Sequence, residues 1–152
     1  MNYKPDIPRE LSTYRSAKNL AEDIPDNINI IGIGTNRLVI QDPFNENKVI
    51  KLAAGCGIEQ NINEIKVWEI SKIRGVSHLL LPIEDYTQDK TCIKMHKVST
   101  SFGLNKFQGP KSEEIYIQLN ESGIKMREIE SAIYHGNPVA FDYGGLKHIQ
   151  KH

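Results

Sequence analysis

The run Ile30-Ile-Gly-Ile-Gly-Thr-Asn-Arg-Leu-Val-Ile40 carries Gly32 and Gly34 one residue apart, inside residues that otherwise read as strand. Glycine weakens a strand, so the pair asks for a reason. A hairpin is one. A backbone that must come close to a phosphate is the other. Lys51, 19 residues after Gly32, closes the apolar run Val49-Ile50. An unpaired buried ammonium is costly, so Lys51 either meets an anion or snorkels to solvent. Glu64 and Glu69 follow on a helical stretch, and either is available as a partner carboxylate. Glu69 falls near the middle of the apolar stripe by helical angle, although exposure is the ordinary fate of a helix glutamate. Near the far end, Val139-Ala-Phe-Asp142-Tyr143-Gly144 sets a carboxylate after an apolar strand and before an aromatic and a glycine. A carboxylate at a strand end can serve as a magnesium ligand.

The elements that must position these residues follow from periodicity and turn chemistry. A helix is expected over 8–23, with Leu11, Tyr14, Ala17, Ala21 and Ile24 on helical spacing. Three strands follow at 29–34, 37–41 and 48–53, the last two joined by the polar turn Asp-Pro-Phe-Asn-Glu-Asn. A helix is predicted over 58–73, with Ile58, Ile62, Ile65 and Ile73 on one stripe, Trp68 at its edge and Gly75 as its stop. Strands at 79–86 and 91–98, a loop, a helix over 113–121 capped by Ser112, and a strand at 138–142 complete the series. His135-Gly136-Asn137-Pro138 reads as a turn between two strands. Five antiparallel strands with one helix after the third define an α+β unit.

Composition bounds the function. The 152 residues are the size of one domain, 39% apolar and 25% charged. Lys plus Arg equals Asp plus Glu at 19 each, so the net charge is zero. A nucleic-acid or membrane-surface binder would carry a basic excess, and no stretch approaches the ~20 apolar residues that span a bilayer. Neither nucleic acid nor membrane is expected as a partner. Cys56 and Cys92 read as two free thiols in a reducing cytosol, and the five histidines do not fall at metal-ligand spacing. The N-terminus has no apolar core of a Sec signal. The expected location is the cytoplasm, of the producing cell or of a host cell.

Four stretches then fall in a telling order. Gly32-Ile-Gly34-Thr-Asn-Arg37-Leu-Val39 lies on the kinase pattern G-x-G-x-x-G-x-V, with Arg37 in place of the third glycine. Lys51 stands where the kinase third strand carries its lysine. Gly123-Ile-Lys-Met-Arg127-Glu128-Ile129 lies on the stretch that ends at the catalytic aspartate, and 139–144 lies on the strand into D-F-G. The chain resembles the protein-kinase-like superfamily from about Ile30 to Gly145, in the minimal form of short phage and bacterial-effector kinases. The resemblance implies a single kinase-like domain. Residues 1–27 would be a helical extension, 28–98 a five-stranded amino-terminal lobe with one inserted helix, and 99–152 a reduced carboxy-terminal lobe. It implies ATP and Mg²⁺ as cofactors. Gly32, Gly34, Val39, Lys51, Glu64, Glu69, Met95 and Val98 would surround the nucleotide, with Met95 near the gatekeeper place and the hinge following it. Asp142 would hold the metal, and Lys51, Glu128 and Asp142 would be catalytic.

Departures from the pattern qualify the activity. Glu128 occupies the catalytic aspartate position, one methylene longer, and Met126 replaces the preceding histidine. The metal-binding asparagine has no counterpart, since 130–133 fill a shortened loop. Eight residues follow Gly144, too few for an activation segment. Two functions are compatible with this pattern. One is a minimal protein kinase acting on or binding a host protein. The other is a catalytically dead pseudokinase serving as a protein-binding inhibitor or adaptor.

Overall fold

The computed structural model describes residues 1, 3–98, 107–126, 129–144 and 146–149, with backbone alone for 107–108 and 146–149. The chain divides into two compact units, Met1–Ile62 with Ile83–Lys97, and Asn63–Pro82 with Val98–His152.

The first unit is built on an antiparallel sheet of five strands: β1 (Ile30–Ile33), β2 (Arg37–Asp42), β3 (Asn45–Ala53), β4 (Ile83–Tyr86) and β5 (Cys92–His96), in the order β1-β2-β3-β5-β4. This is the expected sheet. β2 reaches one residue and β3 three residues further into their shared turn than the sequence indicates, because Asp42 Oδ1 accepts the Phe44 N–H at 2.9 Å and tightens it. β4 is shorter than expected: Ser77–Leu79 forms a 3₁₀ turn, and pairing with β5 begins at Ile83.

Alternation along the strands gives the sheet two distinct faces. Leu38, Ile40, Ile50, Leu52 and Cys92 share one, and they are fully buried. The N-terminal segment covers them through Leu11, Tyr14, Ala17, Leu20 and Ile24. That segment is not the continuous helix expected over 8–23. A 3₁₀ turn at Leu11–Thr13 is followed by extended Tyr14, and the helix α1 spans only Ala17–Asp23. Ser16 is the reason: its hydroxyl accepts the Asn19 N–H at 3.2 Å and starts a new helix there. Both cysteines are free, Cys92 buried and Cys56 exposed. Burial pushes the Cys92 thiol up to about 11.

The β4–β5 turn is organised by Asp89. Its Oδ1 accepts from the Thr87 hydroxyl, the Thr91 hydroxyl and the Thr91 N–H at 2.8, 2.7 and 3.1 Å, and its Oδ2 accepts from Lys4 Nζ at 2.7 Å. The N-terminal segment is thereby tied to the hairpin as well as to the sheet.

Helix α2 (Gly57–Ile73) ends in the left-handed Gly75, φ +72°, with the Gly75 N–H on the Lys72 carbonyl and the Val76 N–H on the Ser71 carbonyl at 2.9 Å. The buried face is the expected stripe only in part. Ile65 is buried and Ile58 half-buried, but Ile62 is exposed and Ile73 is 84% exposed, whereas Asn61, Glu64, Val67 and Ser71 are buried. Polar groups can occupy that face because they are bonded. Ser71 donates to the Trp68 carbonyl, and Asn61 bridges β2 and the β4–β5 turn as described below.

In the second unit, α3 (Ser112–Glu121) packs against the strands around it through Ile115 and Leu119. Ser112 is not its cap but its first helical residue. The left-handed Lys111, φ 53°, holds the cap position. Five strands of this unit are β6 (Phe107–Gln108), β7 (Ile124–Met126), β8 (Ile129–Tyr134), β9 (Asn137–Ala140) and β10 (Leu146–Ile149). They form a three-stranded sheet β6-β8-β9 and a pair β10-β7. Only the last of the expected strands, β9, was legible, and it stops two residues before Asp142. The stretch 130–133, expected as a shortened loop, is strand: Ser131, Ala132 and Ile133 pair with Ala140, Val139 and Pro138. His135 and Gly136, φ 50° and 80°, make the two-residue turn between β8 and β9. Among the described residues no helix is long and apolar enough to cross a membrane.

Candidate functional site

The face of the first sheet opposite the N-terminal segment carries the phosphate-type residues. Register sets them in one row: Gly32 pairs with Val39, Val39 with Lys51, and Lys51 with Ile93. Directly paired residues of antiparallel strands point to the same side. Three residues scattered over 20 positions of sequence therefore stand abreast, with Gly32 and Lys51 about 10 Å apart across two strand spacings. A bulge at Ile31 makes this possible. Ile30 pairs with Ile40 on the covered face, and without the extra residue Gly32 would fall on that face too. Lys51 lies on the central strand β3 and is only 6% exposed. It does not snorkel.

The two glycines have different causes. Gly34 closes the hairpin: its N–H donates to the Arg37 carbonyl at 2.9 Å, and a Cβ there would lie 3.2 Å from that same oxygen. Gly32 has no such reason, since a Cβ built on it meets nothing within 4 Å. The hairpin loop is held from outside. The Thr35 carbonyl accepts the Ala17 N–H at 3.2 Å, and the Asn36 carbonyl accepts the Ala54 N–H at 2.8 Å. Met95 is buried on β5, two residues from Ile93 and on the same face, paired with Val49 and Ile83. Val98 is half-buried and lies beyond β5, in the second unit.

Sequence reasoning missed one participant in this unit. Asn61 is fully buried; its Oδ1 accepts from Arg37 Nη1 at 3.2 Å and its Nδ2 donates to the Lys90 carbonyl at 2.9 Å. An asparagine inside a helical repeat gives no signal of its own, because exposed and buried asparagines look alike in sequence.

The second unit holds Glu64, Glu69 and Asp142. The two helix carboxylates differ sharply. Glu69 is exposed and pairs with Lys72 one turn on, at 3.1 Å. Glu64 is fully buried, and its Oε1 accepts the Tyr143 N–H at 3.0 Å. Tyr143 is buried as well, its hydroxyl donating to the Leu81 carbonyl at 2.7 Å. Asp142 is exposed, between the end of β9 and this doubly anchored tyrosine. Its backbone is fixed from one side. Among the described residues no three His, Cys, Asp or Glu side chains form a metal cluster; a magnesium held by one carboxylate and substrate phosphates needs none. Glu128 lies outside the described residues.

No protein-family model matches the chain, and no curated protein matches it in sequence. Among solved structures the chain is similar to a Legionella pneumophila kinase, Lpg2603, in its complex with IP6, at 17% identity and a TM-score of 0.51. The likeness covers 85% of this chain and 53% of that one, so the chain spans about half the length of the kinase it matches. The fold is kinase-like at this level: α+β, with a five-stranded antiparallel sheet and one helix following its third strand.

On this one face lie two buried cationic side chains, Lys51 and Arg37, and open space over Gly32.

Proposed function

We propose that this protein binds ATP with Mg²⁺ on the Gly32–Val39–Lys51 face of its first sheet, as a minimal kinase-like protein. The observation that carries the reading is the row itself. A lysine is buried on a central strand, and the glycine abreast of it answers to no contact within the chain. Backbone approach to phosphate explains the glycine, and the charge of the lysine beside it suits a phosphate. The kinase-like fold supports it. Gly34 and Met95, in the same unit, complete the proposed nucleotide surroundings, and Val98 enters by the motif alone. The metal role of Asp142, the base role of Glu128 and a protein as acceptor rest on the motif alone.

Binding without transfer is the second reading, a pseudokinase that serves as an inhibitor or adaptor of a partner protein. It is favoured by β8, which occupies as paired strand the stretch where the metal-binding asparagine would stand. Transfer depends on sub-ångström positioning of such groups.

The test is a melt of wild type and Lys51→Met with ATP and Mg²⁺. At a hundredfold excess over Kd, ligand should stabilise the wild type by about 2.7 kcal/mol, and the variant should lose most of that. A wild type that does not respond sinks the reading. Labelled ATP in the same samples separates transfer from binding alone.

A further inference from the structure

We propose that Asn61 is a positioning residue for phosphate binding: through Arg37 it holds the Gly32–Gly34 hairpin in its binding shape before any ligand arrives. The inference rests on the nucleotide reading above. A chain of bonds within the first unit leads to the hairpin from a well-fixed turn. Asp89 organises the β4–β5 turn, and the Lys90 N–H there donates to the Thr87 carbonyl at 2.8 Å. The Lys90 carbonyl accepts Asn61 Nδ2 at 2.9 Å, and Asn61 Oδ1 accepts Arg37 Nη1 at 3.2 Å. The Arg37 carbonyl in turn accepts the Gly34 N–H at 2.9 Å and closes the β1–β2 hairpin. One helix residue thus braces the glycine hairpin against the turn on the other side of α2.

The choice of residue supports this role. Asn61 is fully buried, and a buried amide costs free energy unless its polar ends are bonded. A leucine of similar volume would fill the place without that cost. Neither of these bonds is to its own helix; each goes to a different element. The amide nitrogen is committed to the Lys90 carbonyl, so the oxygen is the end that faces Arg37. A side chain bonded at both ends has one orientation, and the planar guanidinium it meets is oriented with it. The start of α2 closes on the same hairpin: a Cβ at Gly57 would lie 2.2 Å from the Asn36 carbonyl oxygen and 3.3 Å from Arg37 Cγ. A loose glycine loop must be ordered when its ligand binds, and that ordering subtracts from affinity. Here the ordering is done by the fold. The role asks nothing of the Arg37 charge towards the ligand; the guanidinium is the link.

Amide hydrogen exchange on the full chain tests the brace without ligand. In wild type the Gly34 amide should be protected as strongly as the amides of the β3–β5 ladder. Asn61→Leu keeps the volume and removes both bonds, and Asn61→Ala is a second variant. Either should speed Gly34 exchange about tenfold and leave the β3–β5 ladder as it was. Calorimetric titration reads the consequence. Either variant should weaken ATP binding about tenfold and change the binding of adenosine, which brings no phosphate to the hairpin, by less than about twofold. A Gly34 amide that exchanges freely in wild type would end the proposal. So would variants that speed exchange equally throughout the sheet, which would make Asn61 a residue of general stability. Variants that bind ATP as tightly as wild type would end it while the nucleotide reading stands. A wild type with a protected Gly34 that binds neither ATP nor adenosine would end the nucleotide reading and this proposal with it.

Discussion

Replacing Gly32 by alanine separates the two reasons a strand can carry glycine. In the free protein the new methyl meets nothing within 4 Å. Glycine in a strand interior costs about 0.5–1 kcal/mol relative to alanine, so Gly32→Ala should stabilise the ligand-free chain by that amount. For a protein of this size that is a rise in Tm of about 1–4 °C. The ligand should reverse the sign. If a phosphate approaches the backbone at Gly32, the methyl stands in its way. The ATP-induced shift, about 5–11 °C in wild type at a hundredfold excess over Kd, should shrink by about half if affinity falls tenfold. Differential scanning fluorimetry with and without ATP·Mg²⁺ reads both effects in one plate. A variant that melts lower without ligand would show that Gly32 serves the fold. A variant that melts higher yet keeps the full ATP shift would show that no ligand comes near it.

Two further predictions concern the supports of this face. Gly57→Ala should lower stability by about 1–2 kcal/mol in urea unfolding, although alanine is the better helix former by about 1 kcal/mol. The added Cβ would lie 2.2 Å from the Asn36 carbonyl oxygen, which the Ala54 N–H holds in place, and overpacking of this kind costs about 1–3 kcal/mol; unchanged or higher stability would mean that the loop yields. Asp89→Asn tests the N-terminal tie through pH. Burial alone would raise the Asp89 carboxyl, but Lys4, Thr91 and Thr87 more than offset it and hold it well below the usual carboxylate range. A depressed folded-state pKa means its stabilisation is complete above about pH 4 and fades as pH falls further. The side chain is 45% exposed, so the ionic part is under about 1 kcal/mol. The stability gap between wild type and Asp89→Asn should be constant from pH 5 to 8 and narrow progressively below pH 4; a gap as wide at pH 2 as at pH 7 would refute an ionic origin.

The first sheet was legible because its strands alternate and its turns carry Pro, Asn and Gly at the expected places. The alignment of Gly32 with Lys51 across β2 was not, since it needs the bulge at Ile31 and a bulge has no sequence mark. The face of α2 was misread for a related reason. Hydropathy ranks Ile62 and Ile73 above Asn61, Glu64 and Ser71, yet the helix buries the polar set because partners wait for it. β8 shows the same inversion. Ser131 is buried, its hydroxyl donating to the Pro110 carbonyl at 2.7 Å, while Ile133 is 54% exposed. No apolar alternation survives there to announce a strand. The choice between Glu64 and Glu69 could not be made from helical angle, which favoured Glu69 for a buried place it does not hold. Ser16, by contrast, is an ordinary cap signal that the wider apolar spacing over 8–23 obscured.

The segment before β1 has a practical bearing on how this protein is handled. A shortened chain beginning at Ile28 would strip Tyr14, Leu20 and Ile24 from the sheet and bare Leu38, Ile40, Ile50 and Leu52 to water. Such an oily wall invites self-association. Trimming to the kinase-like motif boundaries would therefore yield clumped material, and a silent nucleotide assay on it would say nothing about the intact protein.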